Sequence, residues 1–371
     1  MSGWVSGCIA AGFPNAFFTA ASAKVPTMTR RALLIINPIS GTIPKDGLTE
    51  RVRQRLAPAG FEIESETTRY AGHGGELAAR AAAEGYDAVI AAGGDGTVNE
   101  IASALRSSQT ALGILPYGSG NGLARHLYGS IDIDNALGII ARDHVEACDY
   151  GTVNGTPFFC TFGLGFDASV SREFAQLPTR GLGTYIVSAL REYLKFSPTA
   201  YEIRTGEQTM NVKAFIVAVC NASQYGNNAF IAPKASIRDG LLDITIVHAG
   251  NPLTRAIAGV ELFTGRIDRN ILIQTMRVRS AVIRHLPAPG HIDGDPRTMP
   301  ETLDVMCHPA DIRLFTDPDK PRFKPFITPM ESLRDDSSYL VREGTRLAVR
   351  NIKGKLSKLL TLVLASPLFM K

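Results

Sequence analysis

Residues 88–100 read Ala-Val-Ile-Ala-Ala-Gly-Gly-Asp-Gly-Thr-Val-Asn-Glu. Residues 88–92 are a short apolar run of strand type. It breaks into Gly93, Gly94, Asp95, Gly96 and Thr97, and a helix-forming segment over 98–105 follows. Glycines let a backbone turn sharply and bring its N–H groups onto an anion, and the start of a helix adds the positive end of its dipole. A carboxylate in the middle of such a loop would be repelled by phosphate unless it binds a cation or takes a proton. Asp95 therefore points to phosphate chemistry rather than to phosphate storage.

The same alternation extends in both directions. Upstream, residues 32–36 read as a strand ending in Asn37-Pro38-Ile39-Ser40-Gly41, residues 48–56 as a helix, 61–66 as a strand and 76–83 as a helix. Downstream, residues 111–115 read as a strand, and Gly118-Ser119-Gly120-Asn121-Gly122 opens a helix through Leu127. Strands alternating with helices predict a parallel, doubly wound α/β sheet. Ligands of such sheets sit at the carboxyl ends of the strands, so all three loops are expected on one rim. Any one of them could be an ordinary turn, but three on one rim point to a nucleotide.

Two other nucleotide readings are disfavoured. A dinucleotide-binding fold needs an acidic residue roughly 20 positions past its glycines to hold the ribose, and no Asp or Glu occurs between Ile101 and Ile131. No Gly-Lys-Ser/Thr follows a glycine loop, so a Walker-type loop is absent.

The character changes near Cys148. Asn154-Gly155 between β-prone residues predicts a hairpin, and β-like runs follow at 201–204, 212–220, 242–248, 271–278, 281–284 and 302–306. Helical interludes are expected at 185–194 and 253–263. The chain thus divides into a leader (1–29), a nucleotide-binding α/β domain (30–147), a mostly antiparallel β domain (148–316) and a tail (317–371). The leader holds no acid and one base, Lys24. It lacks the basic start of a secretory signal and reads as disordered, or as the product of an upstream start codon with Met28 the true beginning.

With 371 residues, the chain is long enough for two domains with cores of their own. Hydrophobic content of 45%, charged content of 20% and a net charge of +4 suit a globular enzyme and do not imply nucleic acid. Five scattered cysteines with no Cys-x-x-Cys pair argue against a disulfide framework or a zinc site, and favour a reducing cytoplasm. No run of 18 apolar residues is present, which argues against a membrane-spanning helix.

The three loops, taken with Ala232-Pro233-Lys234-Ala235-Ser236-Ile237-Arg238-Asp239-Gly240-Leu241-Leu242-Asp243 and Ile292-Asp293-Gly294-Asp295-Pro296, resemble the lipid kinase superfamily of bacterial diacylglycerol kinase-like, sphingosine and ceramide kinases. The resemblance spans about residues 31–316. It implies a nucleotide domain of NAD kinase/diacylglycerol kinase type, a β-sandwich domain and a cleft between them. It further implies ATP held by Asn37, Pro38, Ser40, Gly41, Thr68, Gly93, Gly94, Asp95, Gly96, Thr97, Asn99, Gly118, Ser119 and Asn121. Mg2+ is expected on Asp239 with the carbonyls of Ser236 and Leu241, a donor set of hard oxygens. Both Asp-Gly pairs, 239–240 and 293–294, also read as plain hairpin turns.

The family places a proton-accepting carboxylate at Asp293-Gly294-Asp295, usually with Glu at the position of Asp295. Whether Asp95, Asp293 or Asp295 takes the proton stays open at this stage. Many bacterial diacylglycerol kinase-like members carry an Asp directly after the Asn matched by Asn121. Here Gly122 stands there, and the loop is closer to that of sphingosine kinases, which favours a sphingoid base or another long-chain alcohol as acceptor.

His73 and His291 read as near-phosphate and site-tuning candidates respectively, each with a structural role as the plainer alternative. In the tail, seven Lys or Arg stand against one Glu from Val341 onward. Ile352, Leu356, Leu359, Leu360 and Val363 share one helical face, which predicts either a basic amphipathic helix on an anionic membrane or a terminal helix packed on the nucleotide domain. The expected protein is a cytoplasmic lipid kinase, peripheral at the inner membrane face. A membrane lipid is its substrate and nucleic acid is not a partner; a homodimer is left open. The rivals are a kinase of NAD or a soluble metabolite, and a non-catalytic nucleotide-binding membrane protein.

Overall fold

The structure, a computed structural model, describes residues 29–170, 196–206, 208–286 and 288–364. The expected leader and the helix expected at 185–194 lie outside them.

Three strands form the floor of the first domain: β1 (Arg30–Ile36), β3 (Ala88–Gly93) and β4 (Ala111–Pro116). Every residue of β3 and β4 is buried, as their unbroken apolar composition requires of parallel strands covered on both faces. β2 (Phe61–Thr67) closes the edge, giving the order β2-β1-β3-β4, with Ala32 beside Ala88 and Ala88 beside Ala111. Helices α1 (Leu48–Leu56), α2 (His73–Ala83), α3 (Asp95–Leu105), α4 (Gly122–Tyr128) and α5 (Ile133–Ala141) cover the sheet; α1 packs against α5, and α2 against α3.

The antiparallel region contains β5 (Val145–Val153), β6 (Thr156–Phe158), β7 (Thr161–Gly165), β8 (Thr199–Thr205), β9 (Gln208–Cys220), β10 (Leu242–His248), β11 (Ile273–Val278), β12 (Ser280–His285), β13 (Ala288–Ile292), β14 (Asp295–Met299) and β15 (Thr302–Phe315). Phe158, Phe162, Val217, Ile244, Ile283 and Leu303 form its core. The predicted Asn154-Gly155 turn joins β5 to β6, with both residues at positive φ, 47° and 76°. β15 runs well past the predicted 302–306: after pairing with β12 and β5, its Leu314 meets Leu112 of β4 in parallel. One sheet path therefore connects both regions, and β15 returns the chain to the nucleotide side.

Two further helices matter to the site and the tail: α6 (Pro252–Thr264) and α7 (Ile327–Leu364). Among the described residues, no helix is long and apolar enough to cross a membrane. The four described cysteines are buried and free.

Candidate active site

The three loops pack together at the carboxyl ends of β1, β3 and β4. A Cβ on Gly118 would lie 2.4 Å from Gly94 Cα, so the second and third loops touch backbone to backbone. Gly41, at φ +64°, leaves no room for a side chain against Tyr117 O. Asn37 Nδ2 donates to Thr97 Oγ1 at 2.8 Å and so links the first loop to the second. Ser40 Oγ donates back to Asn37 O, and Thr68 N donates to Ile36 O at the neighbouring strand end. Asn121, left-handed at φ 54°, turns its side chain onto Gly118: Oδ1 accepts from Gly118 N and Nδ2 donates to Gly118 O. Asn37 and Asn121 thus shape the loops, while Gly96 and Ser119 remain exposed on the rim.

Helix α3 begins at Asp95, three residues before the predicted start, because extended Gly94 acts as its N-cap. Asp95 therefore sits on the first helical turn, where a carboxylate opposes the positive dipole end. Its Oδ2 accepts from Asn121 N at 2.8 Å and its Oδ1 from Gly122 N at 2.7 Å. Burial pushes this carboxyl up to about 6; the two amides pull it down, and the charge of Asp293 adds to the rise. The residue keeps a solvent-accessible edge, so the group is desolvated without being sealed.

Asp293 arrives from the β region in the two-residue turn between β13 and β14, at φ 47° with Gly294 at 85°. Its Oδ1 accepts from Cys160 N and Thr161 N at 2.8 and 2.9 Å. Its Oδ2 accepts from Phe159 N at 2.9 Å and from Asn99 Nδ2 at 2.8 Å. Burial raises its pKa against these four donors. Asn99, on α3, thereby bridges the two domains. With each oxygen of Asp293 doubly bonded to donors and each of Asp95 holding one loop amide, Asp95 has the freer lone pairs for a proton.

Asp295 is not brought to this pair. It stands on the far arm of the β13–β14 hairpin, exposed, with its Oδ2 3.4 Å from Arg297 Nε. The turn at 293–294 reverses the chain between the two acids.

A buried network behind Asp293 was not anticipated. Tyr225 Oη donates to Asp167 Oδ2 at 2.7 Å, and His291 Nε2 lies 3.2 Å from the same oxygen. Gly294 N donates to His291 Nδ1, which leaves the Nε2 proton for Asp167. His291 thus holds the turn that carries Asp293. The backbone of the Tyr225 loop also meets the third nucleotide loop: Asn121 bridges Gly226, and Asn227 N donates to Gly120 O. The legible signal was an acid two residues after Gly163-Leu164-Gly165. His73, by contrast, accepts from Arg69 N and stacks on Tyr70, a local structural role at the start of α2.

Asp239, with Gly240 at φ +70°, forms the turn before β10. Its Oδ1 accepts from Leu241 N at 3.2 Å and its Oδ2 lies 3.4 Å from Arg277, which also reaches Asp243 at 3.4 Å. One Asp243 oxygen is buried without a partner. These ion-pair contacts are long, so Arg277 neutralises the acids without saturating them. A turn with a carboxylate and main-chain oxygens, beside an unsatisfied acid, fits a hard cation in donor type.

A wound α/β domain with glycine loops on its rim, and an antiparallel domain adding a second half-buried acid beside the first, define a two-domain phosphotransferase. The description "Diacylglycerol kinase catalytic domain" matches residues 31–153, and "YegS C-terminal NAD kinase beta sandwich-like domain" matches residues 161–316. A diacylglycerol kinase of Bacillus subtilis (strain 168) is 30% identical over 60% of this chain and 75% of its own length. A Chromohalobacter salexigens protein named "Probable lipid kinase YegS-like" is 34% identical over 58% of this chain and 70% of its own. A solved diacylglycerol kinase structure from Bacillus anthracis str. Sterne shares the fold, with a TM-score of 0.61 at 20% identity over 79% of this chain and 98% of that one. The chain belongs to the diacylglycerol kinase-like lipid kinase family, and it is a kinase.

Proposed function

We propose that this kinase transfers the terminal phosphoryl group of ATP to the hydroxyl of a membrane lipid, a diacylglycerol or a sphingoid base, at the cytoplasmic membrane face. The observation that carries the reading is the meeting of Asp95 and Asp293, one acid from each domain, beside the exposed rim of three packed glycine loops. Backbone amides of the rim are suited to phosphate oxygens; Gly94 and Gly118 let the second and third loops pack together, and the open space beside Gly96 permits close approach.

Phosphoryl transfer to a hydroxyl asks for alignment, charge neutralisation and a proton acceptor. Asp95 receives the hydroxyl proton as the new O–P bond forms and the bond to the leaving diphosphate breaks. Asp293, held by four donors, fixes Asn99 and the domain junction rather than taking the proton itself. Asp239 with the carbonyls of Ser236 and Leu241 would hold Mg2+, which would supply positive charge to neutralise the acids of that turn. Gly122 in place of an acid leaves Asp95 without a second carboxylate from the third loop, which supports a long-chain alcohol other than diacylglycerol as an alternative acceptor.

The test is radiolabelled ATP with diacylglycerol, sphingosine, ceramide and undecaprenol in mixed micelles. Label in one of these lipids supports the reading. Label only in NAD or a soluble alcohol added as control contradicts it.

A further inference from the structure

Helix α7 lies outside both matched family regions, which end at residue 316, and it is mounted inside out. A surface helix ordinarily buries its apolar stripe. On α7 the stripe facing the protein buries Pro329 and Tyr339 but is otherwise polar: Ser332, Asp336 and Glu343 are each at most 8% exposed. Asp336 Oδ2 pairs with Arg125 of α4 at 2.6 Å, and Glu343 with Arg51 of α1 at 3.2 Å. The face turned to solvent carries Ile327, Met330, Leu333, Leu340 and Val341, exposed by 46–70%. At 3.6 residues per turn these five fall within an arc of about 140°.

Val260 and Phe263 of α6 are exposed as well, and the two elements meet where Phe326 N donates to Thr264 O at 2.9 Å. Ion pairs fix the inner face of α7, so the outer face cannot turn inward without breaking them. It is therefore held outward as a mostly apolar surface, with exposed Arg334 and Ser337 among the five apolar residues.

We propose that the outer face of α7, with the adjoining apolar residues of α6, seats the protein on an anionic lipid surface, the helix lying in the interfacial plane. Charge selects the occupant. Residues 347–371 carry five Lys or Arg and no acid, so a second copy would bring like charge against like, whereas an anionic bilayer is complementary. The inference rests on the membrane-lipid reading above and names the surface that brings the cleft to the lipid.

The experiment uses the full chain and the double variant Met330→Glu, Leu333→Glu, both exposed positions outside the catalytic machinery. Co-sedimentation is measured with phosphatidylglycerol/phosphatidylcholine vesicles and with phosphatidylcholine alone. Phosphorylation of a dispersed short-chain diacylglycerol is measured in parallel. The native chain is expected on anionic vesicles only, and the variant is expected to lose at least tenfold in binding while its turnover of the dispersed lipid and its melting temperature stay unchanged. Equal sedimentation of both proteins overturns the proposal. So does a micromolar dimer of the native chain, seen by light scattering, that the variant dissociates without loss of vesicle binding. No turnover of any lipid by the native chain contradicts the membrane-lipid reading alone, since vesicle binding judges the surface independently.

Discussion

A Cβ at position 122 would lie 2.8 Å from Cys160 Sγ, with Tyr225 O and Gln224 O at 3.1 and 3.2 Å. Gly122 is thus required by the β domain, which fills with Cys160 the space that a side chain at 122 would need. Cys160 Sγ donates to Gln224 O at 2.9 Å, and burial, with the charges of Asp293 and Asp95, holds the thiol well above its ordinary range. Gly122→Asp is expected to destabilise the fold by about 1–3 kcal/mol through overpacking. Cys160→Gly in the same chain should recover part of that loss; urea denaturation measures both.

The pH profile follows from Asp95. A carboxyl raised to about 6 must be ionised to accept a proton, so turnover is expected to fall tenfold per unit below about pH 6. Linkage has the opposite sign. The folded state holds this proton more tightly than the unfolded chain, so the group's contribution to stability is complete below the ordinary carboxylate value and is lost as pH rises through about 6. The stability of Asp95→Asn relative to the native chain should therefore improve between pH 4 and pH 7, as read by denaturation at both.

Much of this was legible because some elements are decided locally. β3 and β4 are unbroken apolar runs, and the residue 48–56 helix has the bounds its periodicity predicted. The Asp293-Gly294 turn was legible as a hairpin turn, but its flanking strands were not: residues 288–299 carry two prolines, a histidine and two glycines, and their strand character comes from pairing Gly290–Ile292 with β7. The start of α7 at Ile327 was missed because the stripe it buries is mostly polar, so no apolar core-facing pattern marks the helix there. Side chains of its 347–364 portion, where the basic amphipathic face was expected, lie outside the description. Asp167 and Tyr225 are far apart in sequence, and only the fold brings them onto His291.

That buried network should position Asp293 rather than touch substrate. Tyr225→Phe removes one hydrogen bond to Asp167 and is expected to cost about 1–2 kcal/mol in stability with kcat lowered and KM for ATP little changed. His291→Gln, which can keep an acceptor for Gly294 N, should retain more turnover than His291→Leu. Equal loss in the two would mean that the ring only fills space.

Arg125 ties the third loop to α7, donating to Gly120 O as well as to Asp336. Its side chain is 5% exposed and that of Asp336 is 10% exposed, so removing one partner strands the other in a buried site. Asp336→Ala is expected to cost about 3–5 kcal/mol, visible as a lower urea midpoint. Arg125→Met with Asp336→Leu should cost less than the single change.

The most direct measurement is transfer of radiolabelled phosphate from ATP to lipid in mixed micelles by the native chain and by Asp95→Asn, with circular dichroism as the check on fold. A loss of about 10²–10⁴ in kcat at unchanged secondary structure is expected of a missing proton acceptor. Near-native turnover by Asp95→Asn would contradict the assignment.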